Sequence, residues 1–215
     1  MSAVPLVLES GSVRLRPPHI RDGRAWAATR RAQQEWLEPW EAVPPAAARI
    51  PWTDRQSISS WAAAVRALRR QQRQGESLPL VVLHEGRFAG QIAVGQLTRG
   101  ALLSGSLGYW VDQRVAGRGL GSLAVALVVE HCLTDFGLHR VEAAVRPENA
   151  RSRALLARLR FREEGLMERV LFTDGAWRDH LLLALTREER PRAGMLSLLP
   201  RDTPARLPEG GSGRA

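Results

Sequence analysis

The hydrophobic positions along this chain switch between a two-residue period and a helical one, and each switch marks an element. Val4–Leu8 and Val13–Arg16 alternate on either side of Gly11 and predict a short hairpin, which Pro17-Pro18 ends. Asp22 is placed to cap a helix running to about Gln34. Between Ser57 and Gln74, Trp61, Val65 and Leu68 share one helical stripe, while Arg66, Arg69, Arg70 and Arg73 share another; Gly75 closes that helix. Leu78–Leu83 and Phe88–Leu97 read as antiparallel strands joined through His84–Arg87, and Ser106–Val111 follows as a third. Leu120–Leu133 is almost continuously apolar and too long for a strand, so it predicts a buried helix. His139–Val145 returns to a strand, Asn149 caps a helix over Ala150–Leu159, and a final hairpin turns at Thr173-Asp174-Gly175.

The stretch between the third strand and the buried helix carries the clearest chemistry. Asp112-Gln113-Arg114-Val115-Ala116-Gly117-Arg118-Gly119-Leu120-Gly121-Ser122 is a glycine-rich turn opening a helix. Convergent backbone N–H groups and the positive end of a helix make such a turn a phosphate seat. Gly117 and Gly119 let the backbone take positive φ and come close to a ligand. A dinucleotide-binding domain of repeated strand–helix–strand units is disfavoured, because the strands ahead of this turn form hairpins.

Composition narrows the setting. At 215 residues, one well-cored domain is expected. All 31 basic residues are arginine, giving a net charge of +9; a basic surface suits a polyanionic ligand, a ribosome or nucleic acid equally well. The longest uninterrupted apolar run is too short to span a membrane, and the single Cys132 fits a reducing cytosol, so a cytoplasmic protein is expected. No Cys or His pair has metal-ligand spacing, and no metal is expected. Cys132 beside His131 invites a thiol-nucleophile reading, against which a lone cysteine in an apolar helix is usually core. The Pro-, Gly- and Arg-rich residues 188–215 read as a disordered tail.

Several motifs together resemble one family. Arg114-x-x-Gly117-x-Gly119 after a strand is similar to the acetyl-CoA motif of the GNAT superfamily of N-acetyltransferases. Leu37-Glu38-Pro39-Trp40, His139-Arg140-Val141-Glu142-Ala143, Asn149-Ala150-Arg151-Ser152, Glu164-Gly165 and Gly175-x-Trp177-x-Asp179 resemble its ribosomal-protein-alanine branch, the RimJ/RimL type, and RimJ more nearly. The likeness covers roughly residues 11–187, with 1–10 as an N-terminal strand or extension. It implies an α+β GNAT fold: a mixed, mostly antiparallel sheet of about seven strands, splayed at the cofactor site and flanked by about four helices. The splayed strands are expected to end at Val111 and Val145. Acetyl-CoA is the implied co-substrate, with Tyr109, Trp110 and Val111 along its pantetheine arm. Arg114, Val115, Ala116, Gly117, Arg118, Gly119, Leu120, Gly121 and Ser122 are expected at the pyrophosphate, and Asn149 also at the cofactor. Ser152 is implied as a donor to the departing thiolate. Trp36, Glu38, Trp40 and Glu41 would line the acceptor's mouth, their carboxylates receiving a cationic amine.

The general base is left open. The positions where sister branches place a glutamate or tyrosine fall on Ala144, Leu156 and Leu171, which cannot serve. Glu142, Glu38, Glu41 and Glu168 remain, and Glu142 is equally a structural partner for an arginine. The acceptor implied is a protein N-terminal amine, such as that of a ribosomal protein. Two alternatives stay open: the same chemistry on an antibiotic or polyamine, or a non-catalytic acyl-CoA-binding or RNA-associated module. A monomer or homodimer, with neither membrane nor sequence-specific DNA binding, completes the expectation.

Overall fold

The computed structural model describes residues 6–200. Eight strands form one sheet in the order β1-β2-β3-β4-β5-β6-β8-β7. They are β1 (Leu8–Ser10), β2 (Val13–Arg16), β3 (Leu78–His84), β4 (Arg87–Thr98), β5 (Ser104–Val111), β6 (Arg140–Val145), β7 (Arg162–Thr173) and β8 (Ala176–Thr186). Every neighbouring pair is antiparallel except β5 and β6. This is the expected α+β architecture with one strand more than the seven anticipated. The first hairpin turns at Gly11, whose φ is 54°, and the start of the expected Val4–Leu8 strand lies outside the described residues.

Four longer helices flank the sheet: α1 (Gly23–Arg31), α2 (Ile58–Arg73), α3 (Leu120–Leu133) and α4 (Ala150–Arg158). On one face, Trp26 and Ala27 of α1 meet Trp61 and Val65 of α2 over Val81, with the Trp26 and Trp61 rings 5.2 Å apart. On the other face, α3 and Leu156 of α4 join the main core. Helix α2 is capped by Ser57, whose Oγ accepts from the Ser60 N–H at 3.0 Å. Asp22 is different. It makes no cap bond to α1; its carboxylate instead accepts from the Arg16 guanidinium and, at 2.8 Å, from the His19 N–H.

Helix α3 explains its own composition. Nearly every residue from Leu120 to Leu133 is buried, on all sides, so the helix needs a cover opposite the sheet as well as the sheet itself. The cover corrects the expectation of a tail disordered from residue 188. After helical turns at Arg187–Glu189 and Met195–Leu198, Met195 is completely buried and Leu199 nearly so. Glu130 on α3 fixes this strap, accepting from the Arg190 guanidinium and from the Met195 N–H at 2.8 Å. Pro191 and Gly194 deny the segment regular structure without denying it a packed place; residues 201–215 lie outside the described residues.

The sheet opens between β5 and β6. They pair only over Ser104–Ser106 against Arg140–Glu142. Beyond that point β5 continues to Val111 on β4 alone, and β6 to Val145 on β8 alone. The splay falls between the two strand ends expected from the sequence.

If the strap belongs to the cooperative unit, Met195→Ala should cost about 2–5 kcal/mol by urea denaturation, the range for truncating a buried Met or Leu. A loss under about 0.5 kcal/mol would mean that it folds on as an independent appendage.

Candidate active site

The wedge between the splayed strands holds a cleft of about 910 Å³ that is lined from both faces of the sheet. Residues alternate along β5, so Tyr109 and Val111 pack towards α3 and α4, while Trp110 packs towards α1 and α2.

The glycine turn forms one wall. Asp112 opens it as the cap of a helical turn over Gln113–Val115, accepting from the Arg114 N–H at 2.9 Å. The Arg114 guanidinium also bonds this carboxylate, with Nε at 3.0 Å from each oxygen. Gln33, from the end of α1, donates to Asp112 at 2.6 Å and accepts from the Gln113 N–H at 2.8 Å. Burial by itself would raise the Asp112 carboxyl, but the bonds from Arg114 and Gln33 outweigh it and hold the group below its ordinary value. Gly117 and Gly119 have φ of 79° and 82°, which only glycine adopts without strain, and Gly119 caps α3. Gly121 has a different reason: a Cβ there would press on Leu155 at 3.2 Å, so its absence lets α4 approach.

Of the turn residues expected at a ligand, Ala116, Gly117, Gly119, Gly121 and Ser122 line the cleft. Arg114, Val115, Arg118 and Leu120 are not on its wall; Arg114 is folded onto Asp112, and Val115 and Leu120 pack into the core. Tyr109, Trp110 and Val111 all line it. The Val111 carbonyl, however, already accepts from the Trp36 indole at 3.3 Å.

Across the wedge stands the start of α4. Asn149 Oδ1 accepts from the Ser152 N–H at 3.1 Å, so this side chain caps the helix, and both residues line the cleft. Ser152 Oγ lies 2.9 Å from the Tyr109 hydroxyl. Burial pushes the Tyr109 phenol up to about 12, with the Ser152 bond opposing that rise.

The opposite mouth is built from Gln34–Glu41, where Trp36, Trp40 and Glu41 line the cleft. The expected receiving carboxylates are already taken. Glu41 bridges Arg30 and Arg55, the latter at 2.7 Å, while Glu38 pairs with Arg55 at 2.9 Å and is not on the wall. Arg30, only 4% exposed, has its guanidinium 4.8 Å from the Trp52 ring and 5.2 Å from that of Trp110. Burial lowers its pKa, with Glu41 opposing. Arg151 lies 4.2 Å over Trp36, and Arg146 donates to the Pro39 carbonyl at 3.1 Å, so arginines pin the mouth from both ends.

Glu142 is found in the second of its two expected settings, beside an arginine. It sits where β5 and β6 still pair, opposite Ser106, and binds Arg140 at 2.9 Å away from the cleft. Arg140 also holds Glu164, whose carboxyl it pulls down to about 2. Cys132 is fully buried in α3, and burial pushes its thiol up to about 12, so no nucleophilic thiolate forms there. Among the described residues no cluster of three metal-binding side chains occurs, and no helix is long and apolar enough to cross a membrane.

Three residues of the site carried no local signature. Gln91 on β4 accepts from the Trp26 and Trp110 indoles at 2.7 and 3.1 Å. Gln33 and Arg30 also act on partners remote in sequence. A glutamine at an inward strand position facing several tryptophans is the only one of these that a pattern could have flagged.

A splayed sheet, a glycine-capped helix start and a cleft crossing the sheet define an acyl-transfer fold. Residues 12–162 match the family model described as "Acetyltransferase (GNAT) domain", and the chain belongs to that family. It is 31% identical over 188 residues to the [Ribosomal protein uS5]-alanine N-acetyltransferase of Escherichia coli, covering 86% of this chain and 93% of that one. A probable N-acetyltransferase of Bacillus subtilis, YjcK, is 36% identical over 101 residues, 47% of this chain and 56% of the relative. Among solved structures, Mycobacterium smegmatis RimJ in complex with CoA-disulfide superposes with a TM-score of 0.84 at 44% identity, over 91% of this chain and 92% of that one.

Tyr109 is the chain's single tyrosine, so its ionisation can be read directly. Tyrosinate absorbance should rise with a midpoint of about 12 in the folded protein and about 10 in denaturant. A folded-state value above the unfolded one favours the neutral phenol. The corresponding stability is therefore complete below about pH 10 and is lost as the pH climbs towards 12. A folded midpoint near 10 would contradict the burial.

Proposed function

We propose that this acetyltransferase moves an acetyl group from acetyl-CoA to the N-terminal α-amine of a protein, with ribosomal proteins as the acceptor class. One observation carries the choice of amine. Glu41 is the single carboxylate among the residues lining the cleft, and it is held between two arginines. Among the described residues no carboxylate on the cleft wall is free of an arginine. Deprotonating an α-amine near pH 7 costs roughly 1 kcal/mol, against about 4–5 kcal/mol for a lysine. A site of this kind suits an amine that needs positioning more than proton abstraction. The likeness to a uS5-alanine acetyltransferase along most of both chains supports the same reading.

The residues present fit acetyl-CoA. Left-handed Gly117 and Gly119 and the start of α3 offer N–H groups to the pyrophosphate, each charge-assisted bond being worth about 1.5–3 kcal/mol. The unpaired edge of β5 suits the pantetheine amides as an added strand. Asn149 and Ser152 stand across the wedge from it, where the thioester arm ends in this reading. Bound there, acetyl-CoA supplies an activated carbonyl. The amine enters from the Trp36–Trp40 mouth and attacks it, the C–S bond breaks with its electron pair going to sulfur, and the Ser152 hydroxyl donates to the departing thiolate.

Thiol release from acetyl-CoA tests the acceptor. A peptide with a free N-terminal alanine should react a few hundredfold faster than the same peptide Nα-blocked and carrying a lysine, as the pKa gap requires. Equal rates, or preference for a polyamine, would overturn the proposal. Glu142→Gln should leave kcat/KM within about threefold, because Glu142 lies off the cleft; a thousandfold loss would restore it as the base.

A further inference from the structure

We infer that Tyr109 is a positioning residue for the leaving thiolate: its hydroxyl donates to Ser152 Oγ and so leaves the serine proton free to face sulfur. The inference rests on the proposed role of Ser152 and goes one step behind it.

The two oxygens are 2.9 Å apart, and geometry alone allows either to be the donor. Chemistry separates the two arrangements. If Ser152 donates, its only proton is held against Tyr109 and is lost to the cleft. If Tyr109 donates, Ser152 accepts on one lone pair and keeps its own O–H for the substrate. A phenol is a far stronger acid than an alcohol and an alcohol the better acceptor, so the second arrangement is favoured. Among the described residues Ser152 is the one hydrogen-bond partner of the Tyr109 hydroxyl. The serine is held from its other side as well, its N–H being fixed by Asn149 at 3.1 Å. Strand β5 and helix α4 are thus joined across the wedge by a bond between two hydroxyls.

No net proton has to leave this pair. The C–N bond forms as the amine attacks, the C–S bond breaks with its electrons going to sulfur, and the surplus proton on nitrogen passes to water. The sulfur regains a proton after CoA is released. During collapse the Ser152 O–H stabilises the negative sulfur, strengthened by the bond it receives from Tyr109. The high phenol pKa keeps Tyr109 a donor throughout the working range.

The test is a double-mutant cycle on kcat. Tyr109→Phe should lower kcat about tenfold, the size of one neutral hydrogen bond felt in the transition state, with KM for acetyl-CoA unchanged. Ser152→Ala should lower kcat about a hundredfold, and the double variant no further. A Tyr109→Phe enzyme with full kcat beside a defective Ser152→Ala enzyme would overturn this inference and leave the Ser152 role standing. A Ser152→Ala enzyme with full kcat would overturn both. Additive losses would overturn the coupling.

Should Tyr109→Phe fail to fold, fluorination serves instead. With a single tyrosine in the chain, 3-fluorotyrosine labels this position alone and lowers its pKa. The alkaline fall in kcat should follow the titration of the single fluorine resonance, and Ser152→Ala should shift that resonance. A kcat indifferent to ionisation of the fluorophenol would overturn the inference.

Discussion

Three residues of parallel pairing hold β5 against β6, and the cleft exists because that pairing stops there. A buried backbone N–H or carbonyl without a partner is costly, so an unfinished sheet interior has to be met by something else. One end of the open edge is met from within, by the Trp36 indole on the Val111 carbonyl. The remainder suits a ligand that carries its own amides. The same opening lets two layers that a closed sheet would separate reach a common space. The α3 and α4 face contributes the glycine turn, Ser152 and Tyr109, while the α1 and α2 face contributes Arg30, Trp36 and Trp110.

The two walls are stiffened by different means. On the glycine-turn side, the Asp112 carboxylate gathers Arg114 and Gln33, which ties the turn to the end of α1 and fixes the backbone that faces the cleft. At the Trp36–Trp40 mouth, Glu41 is shared between Arg30 and Arg55, Glu38 pairs with Arg55, and buried Arg30 lies among indoles. Removing Glu41 would leave the buried Arg30 guanidinium without its counter-charge, a larger penalty than the ion pair's net worth. These acids hold the mouth's shape and leave its charge close to balanced.

How much of this was legible in the sequence depended on the range of the interactions. Hairpins, the Asn149 cap and the glycine turn are local, and local chemistry specified them. The apolar run of α3 declared a buried helix without saying what would bury its outer side. Met195 and Leu199 do so from a segment whose prolines and glycines resemble those of a disordered tail. Glu142 and Glu38 illustrate a further limit. A carboxylate in a motif gives no sign of whether it faces a substrate or an arginine, and here the partners, Arg140 and Arg55, decided. Gln33 was invisible for the opposite reason, because its partners Asp112 and Gln113 lie far along the chain.

The strap over α3 also sets an order of events during synthesis. Strand β8 inserts between β6 and β7, and Met195 and Leu199 cover α3 only after that strand has been made. An emerging chain therefore displays an almost wholly apolar helix until its last described turn is free of the ribosome. Until then the helix opened by the glycine turn lacks its outer cover. Apolar surface left open in this way makes a partly made chain prone to aggregation, and the strap is what ends that exposure.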